Sequence, residues 1–176
     1  LNGPIVRLPH FAPEAKADSP ASERPGDAAT GEPYFLFAGR LERLKGLHTL
    51  IPVFRDYQRA RLLIAGTGSY GPRLQCQAAD ATNIQFLGHL PSERLDALYR
   101  EAVALIVPSI CLDVFPLVTL EAFRQRTPVI VRNLGGLPEI VRESDGGLVY
   151  ESKEELIAAL DRLLLDPAYR NQLGRR

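Results

Sequence analysis

Residues Ile64–Arg73 read IAGTGSYGPR, and the glycines at 66, 68 and 71 follow an apolar run of strand character. A glycine-rich turn between a strand and a helix lets main chain approach a phosphate closely, and G-x-G-x-x-G is the spacing of a dinucleotide-binding fingerprint. That fingerprint also requires the first strand of its unit and an acidic residue about 20 positions on, at the end of the next strand, for the ribose. Neither condition holds. The apolar run YFLFAG (34–39) precedes the motif's own strand, and the strand after the motif ends in FLGHL, with His89 where the acid belongs. The missing acid disfavours an NAD-dependent oxidoreductase. The motif is then either a tight strand-to-helix turn or a turn beside another kind of nucleotide.

Working outward, apolar strand-length runs alternate with helix-spaced segments. LKGLHTLIPVFRDY (44–57) is helical, ARLLIAG (60–66) a strand, PRLQCQAADA (72–81) a short helix and IQFLGH (84–89) a strand. SERLDALYREA (92–102) predicts a helix with Ser92 as N-cap; VALIVPS (103–109), PVIVRN (128–133) and GGLVY (146–150) predict strands. LVTLEAFRQR (117–126), GLPEIVRE (136–143) and SKEELIAALDRLLLD (152–166) predict helices, the last opened by a Ser152/Glu155 capping box. The strands are solid apolar runs, so both sheet faces are covered. Strict β-α alternation therefore predicts an α/β, Rossmann-like three-layer sandwich with a mostly parallel sheet of about six strands. Ligands of such sheets bind where the strands end.

The chain has 176 residues, of which 21 are basic and 21 acidic, so no bulk field favours nucleic acid or an anionic membrane. No apolar run approaches the ~20 residues of a membrane span. Cys76 and Cys111 stand in no CxxC or Cys/His spacing, which argues against a zinc site and suits a reducing cytoplasm. Pro13–Pro33 is rich in Pro, Ala, Ser, Gly and charge and reads as a linker; PIVRLPHF (4–11) before it reads as a strand or hinge from a preceding domain. The expected division is a hinge and linker remnant over residues 1–33 and a ligand-binding domain over 34–176, the whole being a piece of something longer.

Three strand ends carry candidate chemistry. The first continues AGRLERLKG: Gly39 allows close approach, with Arg40 at the tip and Lys45 near the next helix start, where free N–H groups and the positive dipole end favour an anion. Solvated surface charge is the competing explanation for the pair. The fourth strand leads to CLDVFPLVTLEAF. Pro116 fits a helix's first turn, leaving the N–H groups of Leu117, Val118 and Thr119 for a phosphate. Asp113 before that helix and Glu121 within its second turn can both line a cleft, or serve as a turn residue and a dipole-favoured acid. The fifth continues RNLGGLPEIV, where Gly135 and Gly136 precede another helix start and Glu139 reads as an acid that favours it.

In order, GRLERLKG, AGTGSYG, IQFLGHL, VPS, DVFPLVTLEAF, TPVIVRNLGGLPEIV and GGLVY resemble the carboxy-terminal domain of glycosyltransferase family 4 across about residues 34 to 176. DPAYRNQLG at the end is similar to that family's late helices. The resemblance implies a GT-B enzyme, two Rossmann-like domains facing across a cleft, retaining and metal-independent; no D-x-D occurs here. It implies that Arg40 and Lys45 meet the donor diphosphate, that Glu121 binds ribose hydroxyls and that Asp113 lies near the transferred hexose. It places Gly66, Gly68, His89 and Leu90 around the nucleotide, the last two beside the base. The donor would be of UDP or GDP type, with no further cofactor and no metal. The acceptor, a glycan or lipid, would be held by the other domain, this piece being inactive alone and its parent open to membrane association. Two positions depart from the family: Asp113 stands where Glu is usual, and Pro116, often glycine, removes one backbone donor. They keep open a non-catalytic sugar-nucleotide-binding module of the same fold.

Overall fold

The computed structural model describes residues 31–112 and 117–175. The expected hinge, most of the linker, Asp113 and Pro116 lie outside the described residues. The elements run β1 (Tyr34–Ala38), a 3-10 turn (Arg43–Lys45), α1 (Leu47–Asp56), β2 (Arg61–Ala65), α2 (Gly71–Gln77), β3 (Ile84–Gly88), α3 (Ser92–Glu101), β4 (Leu105–Val107), α4 (Leu117–Arg124), β5 (Val129–Arg132), α5 (Leu137–Ser144), β6 (Gly147–Tyr150), α6 (Lys153–Leu165) and α7 (Pro167–Gly174).

The six strands form one sheet in the order β3-β2-β1-β4-β5-β6, and every pairing is parallel. Alternating strand residues feed two apolar layers. Phe35, Phe37, Leu62, Ile64, Ile106 and Ile130 pack on α1, α2, α6 and α7. Leu36, Leu63, Leu105, Val107, Val129 and Val131 pack on α3, α4 and α5. The fold is thus an α/β, Rossmann-like three-layer sandwich. The chain winds outward from β1 through β2 to β3 with helices on one face, then crosses by α3 to β4 and winds the other way with helices on the opposite face. Between β1 and β4 the following loops diverge to opposite faces. This is the switch point, where doubly wound sheets open a crevice.

Three local details carry the packing. Pro52 inside α1 cannot donate to the carbonyl of His48, and the side-chain amide of Gln77 on α2 donates to it instead at 3.0 Å. The buried amide of Asn83 donates to the carbonyls of Phe54 and Tyr57 at 2.8 and 2.9 Å, tying the end of α1 to the start of β3. Ser152 caps α6 by accepting from the Glu155 N–H at 3.1 Å, as its spacing predicts; the return bond of Glu155 goes to the N–H of Glu151. The expected Ser92 cap is not formed. Extended Pro91 is the N-cap of α3, with no side-chain cap hydrogen bond, and Ser92 is already the first residue inside the helix.

Candidate functional site

The loops after β1 and β2 are built against each other. β1 and β2 pair in register up to Ala38 and Ala65. The pairing continues past the strands: Gly39 N–H donates to Ala65 at 3.0 Å, Leu41 N–H to Thr67 at 2.9 Å and Tyr70 N–H to Leu41 at 3.0 Å. Gly66 and Gly68 permit this contact. A Cβ on Gly66 would stand 1.9 Å from the carbonyl oxygen of Gly39, and one on Gly68 would stand 2.5 Å from that of Leu41. The third glycine, Gly71, opens α2. Main chain of the preceding loop therefore fills the side-chain space of Gly66 and Gly68, and these two glycines serve a close approach of chain to chain.

The opening lies one strand over. A cleft of about 340 Å³ at the switch point is lined by Phe37, Ala38, Gly39, Arg40, Lys45, Ile106, Val107, Ser109, Leu117 and Val118. Its floor is apolar strand end, and its rim carries two cations and the first turn of α4. The loops after β1 and β4 are locked together beneath it. The Ile110 N–H donates to Leu44 at 2.9 Å, and a Cβ on Gly46, at φ 74°, would stand 1.9 Å from the carbonyl oxygen of Pro108. Arg40 is exposed and makes no side-chain hydrogen bond or ion pair among the described residues. Leu117 and Val118 at the start of the described part of α4 stand on the cleft lining. Thr119, the third residue singled out at this helix, is fully buried and is not on the lining.

The structure thus brings Gly39, Arg40, Lys45, Leu117 and Val118 into one concavity. Glu121 is not on the lining. It stands one turn beyond Leu117 on the same helical face, half-buried, and accepts a hydrogen bond from the Tyr99 hydroxyl at 2.9 Å. Gly66, Gly68, His89 and Leu90 also stand outside the lining, further along the sheet at the ends of β2 and β3. His89 is exposed, and Leu90 packs against the core layer under α3. Ser109, buried on the cleft floor, was not singled out from the sequence. Its signal was present in VPS, as the residue just past the proline that stops an apolar strand.

Beside the cleft, Arg132 at the end of β5 reaches Thr49 Oγ1 in the first turn of α1 at 3.3 Å, its guanidinium 5.7 Å from the Tyr150 ring centre. Burial, then the charges of Arg43 and Arg132, hold the His48 imidazole below its usual range. Among the described residues no group of three or more His, Cys, Asp or Glu could hold a metal ion. No helix among them is long and apolar enough to cross a membrane.

A doubly wound parallel sheet with a crevice at its switch point places the chain in the class of Rossmann-like α/β domains. The family of glycosyl transferases group 1 matches residues 18–176, and the chain belongs to it. It is 35% identical to an uncharacterized glycosyltransferase of Methanocaldococcus jannaschii over 150 residues, covering 81% of this chain and 38% of that protein. It is 36% identical to the glycogen synthase of Mycobacterium tuberculosis over 157 residues, covering 84% of this chain and 37% of that protein. Among solved structures, sucrose-phosphate synthase of Thermosynechococcus elongatus superposes with a TM-score of 0.73 at 30% identity, over 86% of this chain and 40% of that one. HepE of Anabaena, solved with UDP and glucose, superposes at 0.75 over 84% and 42%; at 19% identity it shows the shared fold. The chain therefore spans about two fifths of the length of these relatives.

Proposed function

We propose that this domain holds the nucleotide-sugar donor of a retaining, metal-independent glycosyltransferase of family 4 that moves a hexose from a UDP or GDP carrier to an acceptor. The observation that carries the proposal is the shared cleft. Arg40, Lys45 and the first turn of α4 converge on one concavity at the switch point between β1 and β4. The glycan or lipid acceptor belongs to a second domain across that cleft, in a cytoplasmic parent, and residues 34–176 form the donor domain. Relatives of more than twice this chain's length support that division, and HepE, solved with UDP and glucose on the same fold, supports the ligand class.

The chemistry follows from charge. Transfer breaks the bond between the sugar's C1 and the β-phosphate oxygen, so positive charge builds on the sugar and negative charge on the departing diphosphate. Arg40 and Lys45 bring positive charge to that diphosphate, and α4 adds the positive end of its dipole, where the negative charge develops. Glu121 takes the ribose hydroxyls, and Asp113 orients the sugar.

Calorimetry with UDP, GDP, UMP and GMP tests the binding half. Tighter binding of one diphosphate than of its monophosphate supports the site; indifference to the β-phosphate overturns it. In the two-domain parent, Arg40→Ala and Lys45→Ala should each lower turnover by about 10²–10³-fold. Donor binding by a parent that transfers nothing would identify a sugar-nucleotide-binding module instead.

A further inference from the structure

We infer that Tyr99, buried in α3, is a positioning residue for the donor's ribose, its hydroxyl holding the Glu121 carboxylate in the attitude that receives the ribose hydroxyls. The inference rests on the role of Glu121 proposed above.

Tyr99 has no exposed surface. A phenylalanine would fill the same space without bringing a polar atom into an apolar layer, so the hydroxyl calls for a partner. That partner is Glu121 Oε2 on the neighbouring helix, at 2.9 Å. The donor is held from behind. The Tyr99 carbonyl accepts from Thr127 Oγ1 at 2.5 Å. The two helices are pinned on either side by Arg124 with Asp96 at 2.9 Å and by Arg100 with Gln125 at 3.3 Å. Burial and the charge of Glu121 both drive the Tyr99 hydroxyl's ionisation far above its usual range, so it remains an O–H donor at every working pH.

A half-buried carboxylate without a donor would turn toward water. With Tyr99 on one lone pair of Oε2, Glu121 keeps its Oε1 and the remaining lone pairs for other donors. A vicinal diol needs that arrangement, two hydroxyls reaching one carboxylate whose plane is already set. A carboxylate fixed before the ligand arrives gives up less rotamer freedom on binding. The hydroxyl of Tyr99 thus acts on the nucleotide without touching it.

The test is calorimetry on this chain with UDP and GDP against their 2′,3′-dideoxy forms, using Tyr99→Phe, Glu121→Ala and, as a control, Tyr34→Phe. Tyr34 also donates a part-buried hydroxyl to α3, at the Leu98 carbonyl (2.9 Å), away from Glu121. The wild type should prefer the ribonucleotide by about tenfold or more, as expected for hydrogen bonds to a charged group. Glu121→Ala should abolish that preference. Tyr99→Phe should shrink it about threefold or more while dideoxynucleotide affinity stays within about twofold, and Tyr34→Phe should leave the preference intact. Thermal melts run alongside establish that each variant is folded. If Glu121→Ala removes the preference and Tyr99→Phe does not, the inference is wrong and the ribose role of Glu121 stands. If Glu121→Ala leaves the preference unchanged, that role fails and takes the inference with it. Equal losses in Tyr99→Phe and Tyr34→Phe would mean that α3 merely loosened, which also overturns it.

Discussion

β1 and β2 end alike and lead to opposite outcomes. Each closes on alanine-glycine in register, Ala38–Gly39 beside Ala65–Gly66, and both glycines turn the chain at nearly the same φ, 144° and 136°. After β1 a cleft opens; after β2 the turn is shut by the loop of its neighbour. The difference lies in what stands alongside. β1 borders β4, whose following helix leaves on the opposite face, and among the described residues a cleft stays open above the contact of their loops. β2 borders β1, whose loop leaves on the same face and lies down on Gly66 and Gly68. A glycine at a strand end permits close approach, and the winding of the sheet decides whether a ligand or the chain itself makes it.

The sharpest way to break this comparison is a methyl group at each glycine. Both substitutions force an alanine into a backbone conformation that costs it about 1–3 kcal/mol, but only at Gly66 does the new carbon collide with main chain, 1.9 Å from the Gly39 oxygen. Around Gly39 the nearest atom is 4.0 Å away. Gly66→Ala should therefore lose about 4 kcal/mol or more of unfolding free energy in urea, and Gly39→Ala distinctly less. Equal losses would mean that the closed turn is not closed by packing.

Next in size is the inverse behaviour of the open junction. Arg40→Ala should weaken diphosphate binding about tenfold or more, while the melting temperature moves by no more than about 1–2 °C, as for an exposed side chain with no partner among the described residues. A large loss of stability with unchanged binding would reverse the assignment of the two junctions.

Smaller still is the polar tie of Gln77 to the His48 carbonyl. Gln77→Ala should cost about 1 kcal/mol in a urea melt. Because the carbonyl is orphaned by Pro52, the loss should shrink when Pro52→Ala supplies an N–H in the same chain. A cycle showing no coupling would place the effect elsewhere.

The smallest expected effect concerns pH. His48 lies between the two junctions, its ring centre 6.0 Å from that of Tyr70 and near the charge of Arg43. Its protonation is suppressed in the folded chain, so below about pH 6.5 the unfolded chain binds a proton that the folded one resists. Its contribution is full above that pH and is lost on acidification. Melting curves between pH 7.5 and 5.5 should fall less steeply in His48→Gln, by about 1–2 °C. An identical slope would show that the ring titrates freely.

Much of this was present in the order of residues. Solid apolar runs alternating with amphipathic segments define a two-sided parallel sheet, because a strand covered on both faces has no solvent side for polar residues. The first-strand ending AGRLERLKG and the helix start at Leu117 marked the cleft, because strand ends are where such sheets bind. The Ser152 cap was readable because its bond spans only neighbouring residues. Ser92 misled because any serine before a helical pattern resembles a cap, and the dihedrals of the residue before it decide.

What the sequence by itself determined is therefore local and periodic: which segments are strands and helices, which faces are apolar, and that cations follow the first strand. Tertiary structure alone decided which glycines are covered, that Tyr99 stands against Glu121 across 22 positions, and that Ser109 lines a floor. Those facts depend on which strands lie side by side and to which face each loop departs, and no short-range pattern of residue types encodes either.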